Sequence, residues 1–145
     1  MLKRSSTAVW KGNGLEGKGL LTTQSGALRD LPYSTHARFG AEDGRAGTNP
    51  EELIAAAHAG CYAMALSFGL TGAGFVPNEL NVDATVIIDK QDVHWFVKKI
   101  ELKLRAKVPG IDEAKFRDAA EAAKKGCPIS RALSAVEITL DARLM

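Results

Sequence analysis

The run from Asn49 to Leu70, NPEELIAAAHAGCYAMALSFGL, constrains the fold more than any other part of the chain. Asn49 can cap a helix, Pro50 suits the first helical position, and Glu51 and Glu52 put negative charge at its positive end. Apolar or small residues then occupy nearly every face to Leu70, and Gly69, Gly72, Gly74 and Pro77 close the segment. A surface helix keeps a polar stripe, and this one hardly does. It is therefore expected to run ~30 Å through the middle of a larger body, with Cys61 half way along. Small residues recur every four positions, as Ala55, Ala59 and Ala63 and as Ala56 and Gly60. Such rows let another helix approach closely. A two-fold copy of the same helix is the expected partner, giving a homodimer, in preference to the alternative that the alanines simply pack under a sheet.

A chain of 145 residues suits a single domain, 1–145. Its net charge of +2 is near balance and no basic patch is concentrated, which speaks against nucleic acid as a partner. Met1-Leu2-Lys3-Arg4 leads into polar Ser5, Ser6 and Thr7 with no apolar core, so no secretory signal is read. Two widely spaced cysteines then fit a reducing, cytoplasmic setting. The apolar helix nearly reaches membrane-spanning length. Alanine and glycine supply much of it, however, His58 and Ser67 interrupt it, and no basic flank marks an orientation, so no membrane is expected.

Around the helix the pattern is strand-rich. Arg4–Trp10 and Lys18–Thr23 read as strands joined by the glycine-rich turn KGNGLEGKG, and Tyr33–Phe39 as a third strand. The charged loop Gly40–Thr48 delivers the chain to the Asn49 cap. After the helix, Leu80–Asp89 and Val93–Val108 alternate as a half-exposed antiparallel hairpin with Ile100, Leu102, Leu104, Ala106 and Val108 inward. Asp112 caps an amphipathic helix to Lys125, Pro128 begins a short third helix, and Val136–Leu144 is a closing strand. This is an α+β order, not βαβ winding.

Cys61 alone is a weak signal, since free cysteines are commonly buried and inert. Cys127 follows Lys124, Lys125 and Gly126 at a helix start, where terminus and ammonium groups favour thiolate; it can also be a plain small residue before proline. Neither has a CxxC partner, and His36, His58 and His94 are scattered, so no metal is expected. No phosphate-binding glycine motif points to a nucleotide cofactor.

Taken together, the two cysteine segments carry a resemblance. TNPEELIAAAHAGCYAMALS and KKGCPIS, with the N-terminal W-K-G-x-G…GKG…T-x-S-G pattern, PYSTHARF, VPGID and EITLD, make nearly the whole chain similar to the osmotically inducible protein C (OsmC) family of thiol peroxidases. The arginine of ARF shortly before NPEE places it nearer the osmotically inducible branch than the organic hydroperoxide resistance branch. The resemblance implies antiparallel sheets packed around a long buried central helix in an intertwined homodimer. It also implies reduction of organic hydroperoxides, and less well of hydrogen peroxide, in oxidative and osmotic stress. By analogy Cys61 attacks the peroxide, Cys127 resolves the sulfenic acid as a disulfide, and an external dithiol, such as a dihydrolipoyl protein, restores both without a bound cofactor. Arg38 and Glu51 set up the thiolate, with Arg29 and Arg45 as alternatives to Arg38. Gly60 and Tyr62 depart from the alanine and phenylalanine that flank the cysteine in many members.

Physical chemistry bears on these roles. A mid-helix thiol gains nothing from a helix terminus and needs a cation, which Arg38 can supply while Glu51 orients it. Glu51 and Cys61 lie ten positions apart, ~15 Å on one straight helix, so a shared site needs Cys61 of one subunit and Arg38 and Glu51 of another. Local electrostatics favours Cys127 as the lower-pKa thiol, whereas the resemblance makes Cys61 the attacker. Two other functions compete: a non-enzymatic module binding an apolar ligand at the dimer interface, and a redox sensor.

Overall fold

A computed structural model describes all residues, Met1–Met145. They form two compact units, Met1–Leu53 and Ile54–Met145. In the first, β1 (Ser6–Lys11), β2 (Lys18–Thr23) and β3 (Leu31–Ser34) make an antiparallel sheet in that order. The β1–β2 turn is organised by Asn13, whose Oδ1 accepts from the backbone N–H groups of Leu15 and Glu16. Trp10 and Tyr33 meet across β2 with ring centroids 5.4 Å apart. Between them sits Gly19, where any Cβ would collide with the Tyr33 ring.

Of the expected strand Tyr33–Phe39, only Tyr33 and Ser34 are extended. Strand β3 stops at Ser34, and His36–Gly40 closes as a single π-helical turn that carries Arg38. The cause is local: the Ser34 hydroxyl accepts from the Ala37 N–H at 3.1 Å, offering the backbone an alternative to the sheet ladder.

Helix α1 runs without a break from Pro50 to Gly72. Asn49 Oδ1 accepts from the Glu52 N–H at 2.8 Å, so the expected cap is in place. In the second unit, β4 (Glu79–Gln91) and β5 (His94–Lys107) form the anticipated hairpin, with a register shift at Ile87/Ile88. Helices α2 (Glu113–Gly126) and α3 (Pro128–Ala132) precede β6 (Glu137–Leu144). Strand β6 pairs with β5 in parallel, so β5 lies in the middle of a mixed sheet and α2 and α3 form a crossover. This departs from the purely antiparallel expectation. Alternation identifies a half-buried strand but not its direction, and only a connection as long as this one allows the parallel choice.

Ile100, Leu102, Leu104 and Ala106 of β5 are almost fully buried. Tyr62, Leu66 and Leu70 of α1 and Phe116, Ala120 and Ala123 of α2 share a core with β5. Each large apolar side chain taken from water there contributes about 1.5–3 kcal/mol. Helix α1 is buried in this chain along one stripe only, His58, Tyr62, Leu66 and Leu70. Met64 and Phe68 stay 63% and 75% exposed. The helix is long and apolar enough to cross a membrane by length and composition, but a core helix passes the same test.

Candidate functional site: a thiol pair and an arginine–glutamate clamp

Cys61 lies three residues beyond His58 on α1, and Cys127 lies between α2 and α3. Their Sγ atoms are 2.9 Å apart and both cysteines are free. A disulfide needs only about 1 Å of further approach. The two sulfurs differ in access, Cys127 being fully buried and Cys61 only partly so.

They differ in acidity too. Burial pushes the Cys61 thiol up, and its hydrogen bond with Cys127 adds to this, against a smaller lowering from the Ile129 N–H. Burial also raises Cys127, but hydrogen bonds from Cys61, from the backbone and hydroxyl of Ser130, and from the Ile129 backbone outweigh it and bring the thiol below its ordinary range. Of the two, Cys127 is the more acidic thiol and Cys61 the less acidic. The acidity difference follows the local sequence reading, but by another route. Hydrogen bonds do the work, while Lys124 is paired with Glu121 at 3.0 Å.

Arg38 and Glu51 also come together. Arg38 Nε lies 3.1 and 3.2 Å from the two Glu51 carboxylate oxygens, and Nη2 donates to Oε1 as well. The guanidinium stands 4.7 Å from the centre of the Phe39 ring. Glu51 is largely buried, its side chain 12% exposed, and sits in the first turn of α1, so the clamp is rigid at its carboxylate end. Neither Arg29 nor Arg45 forms an ion pair; the structure joins Glu51 to Arg38 alone among the three candidates. A hollow of about 1020 Å³, open to solvent, lies in the first unit between Val9, Leu20, Tyr33 and Thr48 and is lined by none of Cys61, Cys127, Arg38 and Glu51.

Two residues beside the thiols escaped the sequence reading. His58 Nε2 lies 2.8 Å from Ser130 Oγ, both groups being buried, and His58 Nδ1 has no hydrogen-bond partner. Their signals were spacings: His58 is three residues before Cys61 and Ser130 three after Cys127. A histidine scattered from other ligand types and a serine in a short helix gave no chemical reason to pair them. His36, His58 and His94 do not gather with other ligating side chains into a cluster able to hold a metal.

The family model described as OsmC-like protein matches residues 41–141, which include both cysteines and Glu51. This chain belongs to the OsmC family. Peroxiredoxin OsmC of Escherichia coli strain K12 is 46% identical over 143 residues, covering 99% of this chain and 97% of that protein. An organic hydroperoxide resistance protein of Xanthomonas axonopodis pv. citri is 31% identical, covering 88% and 86%. In structure, the organic hydroperoxide resistance protein OhrB of Bacillus subtilis superposes with a TM-score of 0.70 at 25% identity, covering 96% and 98%. The OsmC fold thus accounts for both small sheets and the long helix, and the π-helical turn bearing Arg38 lies just ahead of the matched segment.

Proposed function

We propose that this OsmC protein is a cytoplasmic, thiol-dependent peroxidase that reduces organic hydroperoxides in preference to hydrogen peroxide. One observation carries the reading: two free sulfurs 2.9 Å apart, of which only Cys61 is accessible. An accessible thiol attacks, and a buried neighbour resolves. In the first step the Cys61 thiolate attacks one peroxide oxygen. An S–O bond forms, the O–O bond breaks, and the alcohol departs with a proton, leaving a sulfenic acid. The Cys127 thiolate then attacks that sulfur, S–S replaces S–O, and water leaves. An external dithiol, of the dihydrolipoyl kind, reduces the disulfide by two exchanges. The relatives' names, peroxiredoxin and organic hydroperoxide resistance protein, support the substrate class.

Within its own chain Cys61 is pushed toward the neutral thiol, so attack requires a cation. Arg38 is the permanent charge whose carboxylate partner already holds it in place. Glu51 and Cys61 stand ten positions apart on an uninterrupted helix, a rise of ~15 Å. The reading is therefore a homodimer in which Arg38 and Glu51 of one subunit serve Cys61 of the other.

Peroxide consumption with a dithiol reductant tests the assignment. Wild type should turn over cumene hydroperoxide faster than hydrogen peroxide. Cys61→Ser should be inactive, and Cys127→Ser impaired but able to make one sulfenic acid per chain. A dead Cys127→Ser beside an active Cys61→Ser exchanges the roles. No turnover in wild type favours the binding module, and a disulfide formed once without cycling favours the sensor.

A further inference from the structure

Three side-chain contacts between α1 and the α2–α3 segment run in opposite order along the two. His58 meets Ser130, with Nε2 2.8 Å from Oγ. One turn further along α1, Cys61 meets Cys127 with their sulfurs 2.9 Å apart. Beside it, the Tyr62 hydroxyl donates to the Ala120 carbonyl at 3.1 Å. The thiols are thus straddled by two buried hydrogen bonds, one on either side. The backbone carries each bond to the sulfurs. His58 and Cys61 share a face of one unbroken helix, ~4.5 Å apart along its axis. The Arg131 N–H donates to the Cys127 carbonyl at 3.0 Å and closes the turn that contains Ser130. The Cys127 N–H donates to the Ala123 carbonyl at 2.8 Å and ties that turn to α2. The arrangement has a cost, because His58 Nδ1 has no hydrogen-bond partner in a fully buried ring. An apolar side chain would fill this space without that penalty. Apolar contacts have no direction, however, whereas a hydrogen bond fixes both distance and angle.

We propose that His58 is a positioning residue for the thiol pair: its hydrogen bond to Ser130 holds the start of α3 at the height on α1 where Cys127 abuts Cys61. The Tyr62–Ala120 bond is the second pin. The use of the device rests on the reading of Cys61 as attacking and Cys127 as resolving thiol. Disulfide geometry is narrow, with Cβ atoms about 4 Å apart, so a small slide of α3 along α1 takes the sulfurs out of reach. In the resolving step the Cys127 thiolate attacks the Cys61 sulfenic sulfur. S–S forms, S–O breaks, and the departing hydroxide takes up the proton that Cys127 lost. Holding one sulfur at the other raises its effective concentration, which favours both the rate of this step and the stability of the bond it makes.

The test measures the Cys61–Cys127 bond at equilibrium in the full-length protein, with reduced and oxidised glutathione and no peroxide. Oxidised glutathione takes two electrons and two protons from the dithiol, leaving the protein disulfide and two reduced glutathione molecules. His58→Leu and Ser130→Ala should each lower the equilibrium constant for disulfide formation about tenfold, a reduction potential ~30 mV less negative. The double variant should fall no further than the larger single effect. Tyr62→Phe should move the potential in the same direction. His58→Gln, which keeps an N–H donor near the Nε2 position, should return it toward wild type. A residue that only stabilises the fold lowers the urea midpoints of reduced and oxidised protein alike and leaves the potential unmoved. An unmoved potential in His58→Leu, or single effects that add in the double variant, overturns the proposal. His58→Asn, whose amide ends short of Ser130, takes the place of the leucine variant should that one not fold. A wild type that forms no disulfide under oxidised glutathione overturns it as well. Because no turnover is measured, failure here is distinct from failure of the peroxidase reading.

Discussion

Burial decides the charge of His58, and with it part of the pH dependence of folding. The folded ring binds its proton less readily than the unfolded one, whose pKa is the ordinary 6.5. Below that value the unfolded chain holds more protons, so stability falls as pH falls from 6.5 toward the lowered folded pKa. Above 6.5 this dependence is absent. Urea midpoints of wild type should decline between about pH 7 and pH 5, and those of His58→Gln should decline less. Tyr62 is held neutral by its burial while its hydroxyl donates to the Ala120 carbonyl at 3.1 Å. Tyr62→Phe should cost about 1 kcal/mol in equilibrium unfolding, because that carbonyl stays buried without this donor. As candidates, Cys61, Cys127 and Glu51 were legible from the sequence through the family resemblance, which singled out the segments that carry them. His58 and Ser130 were not. They meet 72 positions apart, and nothing local to either requires the other.

At the level of elements, the signals that read correctly were those whose physics is local. Asp112 illustrates this: its side chain accepts from the Lys115 N–H at 2.9 Å and starts α2 where the sequence indicated. Asp112→Ala should lower stability by about 1 kcal/mol, measured by denaturant titration, with loss of the cap as the cause. The failures were signals that two structures share. Tyr33–Phe39 alternates weakly, and a serine hydroxyl outcompeted the ladder to make the turn that carries Arg38. Strand β6 alternates cleanly, Ile138, Leu140, Ala142 and Leu144 being half-buried, yet alternation is the same for either strand direction.

For the whole molecule, the exposed face of α1 is what the sequence could describe but a single chain does not explain. An apolar helix with Met64 and Phe68 open to solvent is the surface expected of an interface. If the proposed homodimer forms through this face, Phe68→Asp should shift the protein toward monomer by light scattering and lower turnover together with it. A mixture of Cys61→Ser and Arg38→Ala chains should recover activity that neither has alone, because one combination of subunits pairs an intact Cys61 with an intact Arg38 and Glu51. Independent sites within each chain would give no recovery.

The two sulfurs that meet at 2.9 Å belong to residues 66 positions apart, nearly half of the polymer. Joining them turns that length into a ring, and a ring has far fewer ways to be unfolded. On the chain-entropy account, closing a loop of this size stabilises the native state by about 4 kcal/mol. The oxidised form should therefore melt well above the reduced one in differential scanning calorimetry. Each catalytic cycle would then alternate a heat-tolerant and a heat-sensitive protein, and supply of reductant would govern how long the molecule survives as well as how fast it works.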